Sequence, residues 1–140
     1  MNPIPHQLLI SGTVLFLLSL LIGFALPAVA NPRMGVSAHV AGIQSGLTLW
    51  ALGLMWQYMA LPAGMQRATQ LLAVLGLYAV FASLLLAALW GTSRATPIAG
   101  AGHQASFPRE VTVTTLLASG SIASVVAIAL VLRGLWMGRA

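Results

Sequence analysis

Few side chains in this sequence could do chemistry, and His39 stands out among them. It lies about one turn inside an apolar run, at helical spacing from Gly42, Ile43 and Gly46. A neutral imidazole offers one nitrogen to a metal while its other nitrogen donates to a carbonyl. Gly42 and Gly46, on the same face, leave flat space beside the ring. That space suits a planar cofactor such as haem, and equally suits a neighbouring helix packed close. Gln44 and Ser45 continue the polar character inward, and each could hydrogen-bond a substrate or join two helices. Tyr78 could donate a proton or simply find a structural partner. Arg33, just ahead of the His39 run, could pair with a carboxylate bidentately or stand as a solvated interfacial charge. Arg94 and His103 lie in a long connection, where His103 could line the mouth of a site or be an ordinary loop residue.

Composition narrows the setting for these residues. The chain is 59% hydrophobic and 5% charged, and so little charge cannot cover a water-facing surface of this size. The basic residues are all Arg (33, 67, 94, 109, 133 and 139) and sit singly near the ends of apolar runs. Nucleic acid needs a clustered patch, whereas an isolated Arg at a span end can snorkel to the headgroups. A nucleic-acid partner is therefore set aside and a lipid bilayer expected. With no Cys, thiolate metal sites, iron–sulfur clusters and covalent haem attachment are excluded. Glu110 is the sole acid, so paired-carboxylate chemistry is excluded as well.

The elements that must position these groups are long apolar runs. A spanning helix needs about 20 mainly apolar residues. Four stretches qualify, at about 8–30, 37–60, 69–90 and 111–132. The expected fold is all-α: one four-helix transmembrane bundle occupying residues 1–140. The first run is read as a span and not a cleaved leader, because Met1 to Gln7 holds no Lys or Arg and the run exceeds a usual signal core. Trp90 and Trp136 sit at span ends, as interfacial anchors do. Four spans place the first and third connections on one side, and with them Arg33, His39, Arg94, His103 and Arg109. Each side then carries three Arg, so positive charge sets no orientation. Gly42, Gly46 and Gly53 in the second span, and Ser119, Ala123 and Ala127 in the fourth, form small-residue stripes suited to close helix packing. A bundle this narrow has little interior volume, which pushes any sizeable cofactor towards a subunit interface.

The segment Asn31-Pro32-Arg33-Met34-Gly35-Val36-Ser37-Ala38-His39-Val40-Ala41-Gly42, followed by Gly46, resembles the hydroxylaminobenzene mutase family. Leu89 to Thr92, Pro97 to Ala99 and Gly102 to Gln104 agree, as does the run from Ile22 to Asn31. The resemblance spans nearly the whole chain and all four runs in order. That family converts hydroxylaminobenzene to 2-aminophenol by intramolecular rearrangement. It is similar to styrene oxide isomerase, a trimeric membrane enzyme that uses haem b held between subunits. The resemblance implies a homotrimer in the bacterial inner membrane, a small aromatic substrate, and haem b with its iron on His39. Ser45 falls where the isomerase has a substrate-contacting Asn, with Gln44 beside it able to supply an amide. The isomerase's catalytic Tyr falls near Leu84, which leaves Tyr78 as the tyrosine within that span. Arg33, Gly42, Gly46, Arg94 and His103 are the residues expected around the cofactor, with Arg109 as a further cation for its propionates.

The function expected is thus an isomerase that moves a hydroxyl within one molecule, with ferric haem as Lewis acid. The alternative is a non-enzymatic haem-binding or electron-transfer subunit. It requires a second axial ligand, for which Met34 or Met55 are the candidates. A small transporter is a third reading, but no span carries an acid to couple cation movement.

Overall fold

The computed structural model describes residues 2–138; Met1, Ala140 and Arg139, which entered the charge count above, lie outside the described residues. Among the described residues all regular secondary structure is helical. Helix α1 (Ile4–Ala25) ends in a 3₁₀ turn, Leu26–Ala28, and α2 (Pro32–Met55) in another, Trp56–Tyr58; α3 (Ala63–Trp90) and α4 (Phe107–Met137) follow. The helices begin at residues 4, 32, 63 and 107, not at about 8, 37, 69 and 111 where the apolar runs start. Proline explains most of the difference. Pro5, Pro32 and Pro108 occupy the first or second helical position, where a missing N–H costs nothing and a fixed φ favours the helix.

Ile4–Ala28, Ala63–Trp90 and Phe107–Met137 are long and apolar enough to cross a membrane. Helix α2, at 24 residues, is also long enough, but His39, Gln44, Ser45 and Thr48 lower its hydropathy. It runs between α1 and α3, packing on both. Helix α4 packs along α3 and makes at most marginal backbone contact with α1 or α2. The result is two antiparallel hairpins, α1–α2 and α3–α4, joined side by side through α2 and α3.

Each hairpin closes on a pair of glycines. A Cβ on Gly12 would lie 2.8 Å from the Gly46 carbonyl oxygen, and one on Gly46 would lie 2.9 Å from the Gly12 oxygen. The α3–α4 pair repeats this at Gly76 and Gly120, 2.9 Å in both directions. Backbone meets backbone at both crossings, which dispersion favours where lipid offers no hydrophobic drive. In α4 the inward stripe is Gly120, Ala127, Val131 and Gly134, with Ser124 hydrogen-bonded to Gly120. The Ser119 stripe read from the sequence is turned by one position: Ser119 is exposed and Ala127 alone of that set is buried.

The core has two parts. The larger joins Leu8, Leu15, Leu49, Leu52, Trp56 and Phe81 with Ala127 and Val131. The smaller, formed by Met34, Ala87, Ala88 and Val113, lies at the end where α2 and α4 begin. The void between α2, α3 and α4 is only ≈ 20 Å³, the scale of one water.

Candidate active site

His39 lies in the second turn of α2, facing the end of α1. Its Nδ1 is 2.6 Å from the Ser19 carbonyl oxygen. A carbonyl only accepts, so Nδ1 carries the proton and Nε2 keeps the lone pair. The ring rests on Gly23, one turn further along α1. The imidazole is half-buried, with one nitrogen committed and the other available to a ligand.

This end of the bundle is strapped. Asn31, 2% exposed, caps α2 through Oδ1, which accepts from the Met34 N–H at 3.2 Å. Its Nδ2 donates to the Ala99 carbonyl at 2.9 Å, and its backbone N–H to the Ala88 carbonyl at 3.0 Å. One residue therefore ties α2, α3 and the 91–106 connection together. Glu110 makes a second tie: its two carboxylate oxygens accept the Ser93 and Arg94 backbone N–H groups, each at 3.0 Å. His103 makes a third, with Nε2 donating to the Ala30 carbonyl at 3.2 Å and the ring lying over Gly91. Gly91 ends α3 at φ +65°, a left-handed conformation that favours glycine. The first and third connections thus share one face, as four alternating helices require.

The predicted site residues separate into two groups. Arg33, Arg94 and His103 share the His39 end, with Arg33 and Arg94 exposed. Arg94 borders a groove of ≈ 320 Å³ with Phe107, Val111, Thr114 and Thr115. The Arg109 guanidinium sits 5.6 Å from the centre of the Trp90 ring, a cation–π pairing. Gly42 and Gly46 leave no flat space for a cofactor. A Cβ on Gly42 would collide with the Ser19 hydroxyl and with Phe81, and one on Gly46 would meet Phe16 and Gly12. Helix α1 and Phe81 fill the room that the sequence left open between a cofactor and a helix.

The residues read as catalytic beside His39 do not converge on it within one chain. Ser45, 5% exposed, lies about 120° around α2 from His39. Gln44 lies about 140° around the helix from His39 and is exposed on the outer face. The Tyr78 hydroxyl donates to the Ser11 carbonyl at 2.8 Å, eight residues or about 12 Å along α1 from Ser19. Of the possible second axial ligands, Met34 is 0% exposed, packed in the smaller core with its sulfur accepting from Thr96. Met55 lies about 24 Å along α2 from His39, near the opposite end. Sequence reasoning passed over Asn31 and Glu110 as organisers of the site. Asn before Pro at a helix start does signal a cap, but nothing in the sequence signals the bonds to Ala88 and Ala99.

Among the described residues no three His, Cys, Asp or Glu side chains gather around a metal position. One oriented imidazole suits a metal that arrives in a macrocycle and needs a single axial donor. The fold and site define a small all-helical membrane protein with an oriented histidine at a strapped end.

Comparison with known proteins makes the class definite. The model of the styrene oxide isomerase family matches residues 4–136. The hydroxylaminobenzene mutase HabB of Ectopseudomonas oleovorans is 44% identical over 134 residues, covering 95% of this chain and 82% of the relative. The hydroxylaminobenzene mutase HabA of the same organism is 44% identical over 110 residues, covering 78% and 82%. No solved structure matches the chain. The chain belongs to the styrene oxide isomerase family, and is an isomerase of the mutase type.

Proposed function

We propose that the protein is a four-span, haem b-dependent mutase that rearranges an arylhydroxylamine such as hydroxylaminobenzene to a 2-aminophenol. The observation that carries this reading is the His39 ring, held by the Ser19 carbonyl so that Nε2 keeps a free lone pair. The names of the relatives supply the substrate class. Helix α2 serves as the fourth span: its 24 residues reach about 36 Å, and it is flanked by α1 and α3.

The rearrangement needs no co-reactant. The N–O bond breaks, a C–O bond forms at the adjacent ring carbon, and the proton leaving that carbon ends on nitrogen. Substrate and product are isomers, so no outside electron or water enters. Bound haem would supply a Lewis-acidic iron to polarise the N–O bond. His39 would hold that group through Nε2. Arg33 and Arg94, exposed at this end, would pair with its carboxylates. Apolar helix walls exclude water, which would otherwise attack the para carbon. Ser45 and Tyr78 take no direct part in the step.

A macrocycle is far larger than the ≈ 20 Å³ internal void, so it lies outside the bundle of one subunit. The cofactor would then sit between subunits, in the homotrimer of the bacterial inner membrane that the family resemblance implies. Gln44 supports a protein-covered outer face, because an exposed amide midway along α2 is poorly placed against lipid.

The test uses protein purified in detergent, with haem supplied during expression. A Soret band that shifts on adding hydroxylaminobenzene, and 2-aminophenol free of ¹⁸O when formed in H₂¹⁸O, are the expected results. No Soret band, ¹⁸O in the product, or a His39→Ala variant with full haem content and activity would overturn the reading.

A further inference from the structure

Gly23 is the residue on which the His39 ring rests, and the mutase reading gives it no part. In α1 the Ser19 carbonyl accepts the Gly23 N–H through the ordinary four-residue helical bond. The oxygen has a second lone pair, and His39 Nδ1 uses it from across the helix pair at 2.6 Å. In a helix, the side chain of residue i+4 flanks the carbonyl of residue i. Any side chain at position 23 would stand beside the oxygen that His39 must reach. An ideal Cβ there would lie 3.1 Å from Cε1, 3.2 Å from Nδ1 and 3.8 Å from Nε2.

The contact differs from those at the other interfacial glycines. At Gly12 and Gly46 a Cβ would meet atoms of two residues or more, with backbone of the facing helix among them, which serves packing. At Gly23 the three nearest atoms all belong to one imidazole ring. A methyl group here pushes the ring and nothing else. The ring is rigid, with Cε1 between its two nitrogens, so displacement at Cε1 and Nδ1 also re-aims Nε2.

We infer that Gly23 is a positioning residue: it opens the Ser19 carbonyl to His39, and so fixes both the tautomer of the imidazole and the direction of its Nε2 lone pair. This rests on His39 being the ligand in the proposed function. The hydrogen bond also strengthens Nε2 as a donor, since a proton shared towards a carbonyl raises the basicity of the far nitrogen.

The experiment reads the tautomer in protein free of haem, which separates this inference from the mutase reading. ¹⁵N-histidine-labelled protein gives imidazole signals, with the His39 pair assigned by its loss in His39→Gln. The wild type is expected to show a single Nδ1–H tautomer at His39. Gly23→Ala is expected to show a mixture or the Nε2–H form, and at least a tenfold weaker haem affinity. Gly53→Ala is the packing control: it adds a methyl to the same helix pair, 3.0 Å from Leu9 and Pro5 atoms and far from His39, and leaves the tautomer unchanged. Should Gly23→Ala not fold, the wild-type signal still decides, because an Nε2–H form there overturns the inference. An unchanged tautomer in folded Gly23→Ala also overturns it, as does an equal change in Gly53→Ala. Absence of haem binding in the wild type overturns the cofactor reading instead.

Discussion

Glu110 is the sole acid in the chain, and its carboxylate is 8% exposed. It accepts the consecutive N–H groups of Ser93 and Arg94 at 3.0 Å each, and lies in the first turn of α4, where negative charge is favoured. A hydrogen bond to a charged group contributes about 1.5–3 kcal/mol, against about 0.5–1.5 for a neutral pair. In Glu110→Gln one oxygen still accepts, but the amide NH₂ turns a donor towards a donor. One charged bond is lost and the other becomes neutral, so the strap weakens by about 2.5–4.5 kcal/mol. Glu110→Ala leaves both N–H groups without this acceptor, at about 3–5 kcal/mol. The loss is local to the 91–106 connection, so hydrogen exchange measured by mass spectrometry is the appropriate assay. At about 1.4 kcal/mol per decade, Glu110→Gln should speed exchange at Ser93 and Arg94 about 60- to 1,600-fold. Exchange near Gly12 and Gly46 should stay as it was. If the Ser93 and Arg94 amides exchange within threefold of wild type in a folded Gln variant, the clamp contributes nothing and the reasoning fails.

Two further substitutions follow from the packing and the hydrogen bonds. Gly42→Ala forces a methyl into the Ser19 hydroxyl and Phe81, and should lower stability by about 1–3 kcal/mol, read as an earlier midpoint in detergent-denaturation curves; an unchanged midpoint would mean α1 and α2 separate freely there. Tyr78→Phe removes one bond to the Ser11 carbonyl and should cost about 0.5–1.5 kcal/mol of stability while mutase turnover stays within twofold. A tenfold fall in turnover in the folded Phe variant would return Tyr78 to the catalytic machinery.

The helices were legible because composition and periodicity are local properties. Twenty apolar residues in a row admit few structures in lipid, and α1, α3 and α4 followed from that alone. The order of the runs placed both connections near His39 on one face. Helix starts were less legible, because hydropathy does not register a polar first turn led by proline, as at Pro32 and Pro108. A glycine stripe in α2 was visible too, but a missing side chain does not say what fills its place. Only the packed structure assigns Gly42 and Gly46 to α1 and not to a cofactor.

The same limit governs the site. The sequence by itself determined that one histidine sits near the start of α2, that one acid exists, and that Gln44 and Ser45 follow that histidine within two turns, with Tyr78 in the next span. Sequence spacing fixes angle around a helix but not which neighbour occupies that angle. Tertiary structure decided that Ser45 is buried, that Tyr78 bonds to α1 about 12 Å from the His39 partner, and that Glu110 holds backbone instead of an arginine. Above all it decided which nitrogen of His39 is free, because the Ser19 carbonyl that holds Nδ1 comes from another helix, twenty residues away in the chain.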